Sequence, residues 1–241
     1  MKKIYTFHGE CSGCGSAWLA RRTAEMIAGK RRDLNVLLVH ASHSDSAHAG
    51  KSATSMERVR PYMAGRKPLP KGLAEKADCS GKLSVISGAG PSDSTGVFPP
   101  DQTESFLKRA AEYYDLIICD SGSELGQGLS LGALFASDRI YSVFSESEES
   151  FRRFEWLRPL YKKLGLKING YVLDRFAQDG DYSENSVAAR LRVRADRVFM
   201  IGRAAARSEL ERIADDILKD AFSASGNASV QKTREIFAAK P

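Results

Sequence analysis

Seven short runs of almost unbroken apolar residues punctuate the chain, at 4–7, 36–39, 83–86, 116–119, 140–144, 171–173 and 198–201. A run that is apolar on every residue, not on alternate ones, suits a strand buried on both faces. Such strands belong to a parallel sheet covered by helices. The intervals carry helical spacing. After the first run, Trp18, Leu19, Arg22, Met26 and Ile27 fall at three- and four-residue helical spacing, with Arg21, Lys30 and Arg31 on the outer side. Further helices are expected over 103–113, over 148–163 with Phe151, Phe154, Leu157 and Leu160 on one stripe, and over 207–222 with Leu210, Ile213, Ile217 and Leu218 inward. Strand, helix, parallel strand is the pattern of a doubly wound α/β fold, a mostly parallel sheet with helices on both faces.

With 241 residues, 42% of them hydrophobic, the chain can bury one large core. One domain over 1–222 is expected, with a polar, basic excursion at 42–80 and a Gly-, Ser- and Pro-rich loop at 88–100. A tail over 223–241 follows, in which "SASGN" separates a short terminal helix that lacks a sustained apolar face and makes a poor membrane anchor. Four cysteines at irregular positions (11, 14, 79 and 119) do not form a disulfide framework. Neither a signal peptide nor an apolar stretch of about 20 residues is present, so a cytoplasmic address is expected. The net charge of +6 points to nucleotide, nucleic acid or an acidic membrane surface, against the plainer reading of a soluble basic surface. The same two readings apply to the basic stretch holding Arg58, Arg60, Arg66, Lys67 and Lys71.

In an open α/β sheet, ligands sit beyond the carboxyl ends of the strands. The segment after the first strand, "HGECSGCGSAW" at 8–18, occupies the place of a phosphate loop. It has no lysine, and it carries Glu10, Cys11 and Cys14. Cys-x-x-Cys spacing can chelate a metal or form a disulfide, and His40 ends the second strand on the same rim. A speculative zinc or thiol site is therefore Cys11, Cys14 and His40, with His8, His43 and His48 nearby. The plainer reading makes the cysteines small fillers and the histidines polar loop residues. Ser121 and Ser123 follow the fourth run, but no histidine is expected near enough to complete a hydrolytic triad. The acidic "SESEES" at 145–150 complements the dipole of the helix it opens.

The order of these segments resembles the ParA/MinD family, the deviant Walker A ATPases with a P-loop fold. The most specific stretch is "YYDLIICDSGSELGQGLSLGALFASDRIYSVFSES", which is similar to the Walker B region and makes Asp120 its aspartate. The phosphate loop of that family reads K-G-G-x-G-K-[ST]-[ST]. The resemblance puts Cys11 at the signature lysine, Ser12 and Gly13 at the two glycines, Cys14 at the variable position and Gly15 at the last glycine. Ser16 then stands at the second lysine, Ala17 at the magnesium-binding hydroxyl and Trp18 after it. "NVLLVHAS" resembles the strand ending in D-A-D, with His40 at the first aspartate. "INGYVLDRF" resembles the strand whose end touches the base, with Asp174 at its asparagine.

The resemblance implies a nucleotide site built from residues 11–18 and Asp174, with Asp120 as the catalytic carboxylate. It also implies ATP or ADP as the cofactor and a homodimer. Phosphoryl transfer depends on positioned charge, so the missing lysines, hydroxyl and aspartate make magnesium doubtful and imply weak or no hydrolysis. "SGCGSAW" is similar to the degenerate loops of TadZ/CpaE-like factors of pilus assembly. The expected function is a localisation, scaffold or regulatory factor with a protein partner, placed in the cytoplasm, at the membrane periphery or at a cell pole. Two alternatives stay open: a working ATPase of partitioning or positioning, and a metal- or redox-sensing module on Cys11 and Cys14.

Overall fold

The computed structural model describes residues 2–42, 54–65, 67–70, 72–77, 82–89, 98–176, 182–202 and 206–238, with side chains of the last helix described to residue 222. All seven apolar runs are strands: β1 (Lys3–Gly9), β2 (Val36–His40), β4 (Leu83–Ile86), β5 (Leu116–Asp120), β6 (Arg139–Phe144), β7 (Ile168–Phe176) and β8 (Val198–Gly202). An unforeseen two-residue strand, β3 (Glu75–Lys76), runs antiparallel along β4. The sheet order is β3-β4-β2-β5-β1-β6-β7-β8, and every pairing after β3 is parallel. The carboxyl ends of β1 and β5 therefore lie side by side at the centre.

Alternate residues feed two layers. Tyr5, Phe7, Val36 and Leu38 pack under α1 (Ser16–Lys30) and α7 (Ala206–Ala238), against Leu19, Ile27, Ile213 and Ile217. Ile4, Leu37, Val39 and Ile117 face α2 (Met56–Met63), α3 (Pro100–Ala110) and α4 (Gly128–Ala136). On that second side, farther along the chain, α5 (Glu148–Lys163) and α6 (Glu184–Leu191) close over Phe144, Leu173 and Met200.

Three expectations need correction. The α5 stripe ends on Tyr161, not Leu160, which is exposed. Continuing 151, 154, 157 at the helical period favours 161, and the Tyr161 hydroxyl has a buried partner described below. The break expected at 223–227 is absent, because α7 continues to Ala238. That segment holds no proline, and a single glycine costs a helix only about 1 kcal/mol. The helix expected over 103–113 instead starts at Pro100, whose fixed φ suits the first helical position, and closes at Ala110.

The two glycines of α4 let it lie directly on the start of α3. A Cβ on Gly132 would stand 2.4 Å from the Pro100 carbonyl oxygen and 2.5 Å from Thr103 Cβ. Gly132→Ala should therefore destabilise the fold by about 1–3 kcal/mol through overpacking. Gly29→Ala, near the end of α1 with nothing within 4 Å of the new carbon, should leave stability unchanged or raise it slightly. Thermal melts of the two variants check this, and equal melting temperatures would refute the close approach.

Candidate functional site

The loop between β1 and α1 is shaped by two glycines. Gly13 and Gly15 take left-handed φ values of 73° and 93°, and Gly15 caps α1. A Cβ on Gly15 would fall 1.8 Å from Asp174 Oδ2, so the carboxylate at the end of β7 rests directly on the loop backbone. Around the loop opens a cleft of about 640 Å³ at the carboxyl ends of the central strands. It is lined by every candidate residue of the loop except Cys14, and also by Asp120 and Asp174. The cleft lies where the sequence places it, and Cys14 is instead buried beneath the loop.

Asp120 is 1% exposed and ends β5, in register with Phe7 on one side and His40 on the other. Ser16 Oγ donates to its Oδ1 at 2.9 Å, as does the Gly122 backbone N–H at 3.1 Å. His40 Nδ1 lies 3.2 Å from Oδ2, which makes Nδ1 the donor. His40 Nε2 is then buried without a hydrogen-bond partner. Both oxygens of the carboxylate are thus engaged by protein donors. The hydroxyl that reaches Asp120 comes from Ser16, at the position the resemblance gives to a lysine, and Ala17 has none to offer.

These residues do not fit a magnesium–triphosphate group. No lysine or arginine is among the described residues lining the cleft, whereas Asp120, Glu124 and Asp174 are. Arg153 stands behind it, 3.5 Å from Glu124 and donating to the Ser123 carbonyl. What remains for an anion is the loop backbone and the N-terminus of α1.

Glu10, although it stands in the loop sequence, does not line the cleft. It is fully buried beneath the loop. Ser142 donates to its Oε1, and Tyr161 Oη lies 3.1 and 3.0 Å from its two oxygens. Burial pushes its carboxyl up to about 7, opposed by these hydrogen bonds and by Arg153. Next to it, burial holds His8 down at about 4, so the imidazole is neutral. His8 Nδ1 lies 2.9 Å from Ser121 Oγ, a pairing the sequence does not reveal. Both residues are fully buried, and Ser121 also donates to the Phe7 carbonyl. The pair ties β1 to β5 and cannot meet a substrate.

The cysteines divide by exposure. Cys11 faces the cleft, half-buried, with Sγ 3.3 Å from Ser145 Oγ. Cys14 is 2% exposed, and its N–H closes a turn on the Cys11 carbonyl at 3.4 Å. Pairing with Cys14 makes the Cys11 thiol more acidic than usual, and the same pairing together with burial makes the Cys14 thiol less acidic. Cys119 is buried, and burial pushes its thiol up to about 12. The speculative metal set is not assembled: His40 turns to Asp120, and among the described residues no three His, Cys, Asp or Glu side chains gather to hold an ion. His43, His48 and Cys79 lie outside the described residues.

The folded protein holds the Glu10 proton more tightly than the unfolded chain does. Its contribution to stability is therefore fully present below about pH 4.5 and is lost as pH rises through about 7. Glu10→Gln removes that loss. The melting temperature of the variant should gain on that of the parent between pH 5 and pH 8, at up to about 1.4 kcal/mol per pH unit within the window. A gap that stays constant across this range would show that Glu10 is ionised in the fold throughout.

No protein-family model matches the chain, and no curated protein resembles it in sequence. Solved structures do match in fold. A ParA family ATPase from Chlorobium tepidum aligns with a TM-score of 0.71 at 19% identity, over 87% of this chain and 88% of that one. The cell division ATPase MinD from Pyrococcus furiosus gives 0.67 at 18% identity, over 88% of each chain. A plasmid partition protein from Borrelia burgdorferi bound to AMPPNP gives 0.62 at 15%, over 91% of this chain and 99% of that one. The parallel sheet, the loop position and the β5 aspartate together give this chain the fold of the ParA/MinD ATPases.

Proposed function

We propose that this protein keeps the ParA/MinD fold without its ATP hydrolysis and acts as a localisation, scaffold or regulatory factor. One observation carries the reading: Asp120 already spends both oxygens on Ser16, Gly122 and His40. An aspartate so engaged is poorly placed to organise a hydrated metal, and the described residues lining the cleft include no lysine to balance phosphate charge as phosphoryl transfer requires. The protein would then work through what it binds on its surface. A second copy of itself and a protein partner are the expected occupants, by analogy with the MinC:MinD complex of Aquifex aeolicus, whose chain aligns here with a TM-score of 0.67 at 16% identity. No helix among the described residues is long and apolar enough to cross a membrane.

The purified protein should release no phosphate from ATP above background, with or without magnesium, and ATP–magnesium should not raise its melting temperature. Steady turnover at the rate of a partition ATPase would overturn the reading and favour the working-enzyme alternative. Binding of ADP without turnover would leave the scaffold reading standing, since the loop amides remain. The double variant Ser16→Lys, Ala17→Thr removes one of the three donors to Asp120 and supplies a positive charge and a hydroxyl. It should gain a nucleotide-dependent rise in melting temperature that grows with ligand concentration.

A further inference from the structure

We propose that Cys11 and Cys14 form a dithiol couple that exchanges with a small disulfide entering the cleft, Cys11 attacking and Cys14 resolving. The inference does not depend on whether the loop binds nucleotide.

The geometry supplies the asymmetry that such a couple needs. One sulfur must meet the substrate as a thiolate, and the other must wait, protonated and shielded, within reach of the first. Cys11 lines the cleft, and Cys14 does not. The turn closed from Cys14 N–H to the Cys11 carbonyl at 3.4 Å sets both residues on one tight loop, with Cys11 toward the cleft and Cys14 beneath it. Gly9 makes the room below: a Cβ there would lie 2.6 Å from Cys14 Sγ.

A second element supports the attacking sulfur. Ser145 and Ser150, at the start of the sixteen-residue helix α5, stand around Cys11. Ser147 caps that helix by accepting from the Ser150 N–H, and Ser150 Oγ in turn accepts from Ser145 N–H at 3.3 Å. Hydroxyl donors and a helix N-terminus both favour a thiolate over a thiol. Burial acts against them, and so does Glu10 beneath the loop once it ionises.

In the forward step, the Cys11 thiolate attacks one sulfur of R–S–S–R, forming a Cys11–S–S–R bond and releasing RS⁻. Cys14 gives its proton to that leaving thiolate and attacks Cys11 Sγ. The second RS⁻ departs and takes a proton from water, and the Cys11–Cys14 bond is made. The net change is one substrate disulfide reduced to two thiols and two protein thiols oxidised to a disulfide. The carboxylates of Asp120 and Asp174 on the cleft wall favour a disulfide carrying positive charge over an anionic one of the same size.

The test uses the reduced full-length protein with cystamine as probe, quenched in acid and read by intact mass and peptide mapping. The parent should release two cysteamines for each Cys11–Cys14 disulfide formed and carry no adduct on either of these residues. Cys14→Ala and Cys14→Ser should both stop at a cysteamine adduct on Cys11. Cys11→Ala should consume cystamine about tenfold more slowly or worse. Dithiodipropionate, of like size and opposite charge, should react several-fold more slowly than cystamine with the parent. Retention of both thiols by the parent, first capture on Cys14 or Cys119, or equal rates with the two probes would overturn the proposal. A circular dichroism spectrum matching the parent establishes that each variant is folded, and the two replacements at Cys14 guard against failure of either one.

Discussion

Asp120 is the point on which the rim of this sheet is organised. It ends the strand beside β1, and its two oxygens receive a hydroxyl from α1, an imidazole from β2 and a backbone N–H from its own loop. A carboxylate at 1% exposure is costly to bury alone, and charge-assisted hydrogen bonds are what make it tolerable. Each donor comes from a different segment. Satisfying one charge therefore fixes the start of α1, the end of β2 and the β5 loop relative to one another. In an ATPase of this fold the same carboxylate would serve a metal. Here Ser16, His40 and Gly122 engage it, and through it three segments of the rim are tied together.

The floor beneath the loop follows the same logic with a different outcome. Glu10 meets Ser142 of β6 and Tyr161 of α5, and these bonds do not fully offset its burial. Its carboxyl stays near neutrality in affinity for the proton, whereas neighbouring His8 gives its proton up. The two shifts act on stability in opposite directions across the weakly acid range. The loop therefore rests on a polar layer with little fixed charge.

Most of the frame was legible in the sequence, for a plain reason. A strand buried on both faces must be apolar at every position, so the runs at 36–39 and 116–119 could hardly be anything else. The two-residue β3 has no pattern to read. Helix α6 was missed although Ser183 and Ser186 form a capping box around its start, a local signal that a search for caps would have found. The site was legible only as a list of loop residues. That Ser16 reaches Asp120, that His8 meets Ser121, and that Tyr161 replaces Leu160 in the core all depend on strand register and helix rotation. Those are set by packing between distant segments. Spacing along the chain does not encode them.

The substitutions in the loop also explain one another. A lysine at position 16 needs an anion, and a serine there needs an acceptor, which Asp120 supplies at 2.9 Å. With no lysine in the loop, the carboxylate of Asp174 can lie on Gly15 without competing for the space a phosphate would fill. With the variable loop position buried against Gly9, a small polarizable side chain such as cysteine packs there well. The thiol left facing the cleft is the exception. Packing accounts for Cys14, but nothing in the packing requires a cysteine at position 11, where the side chain meets solvent, two serine hydroxyls and its buried twin.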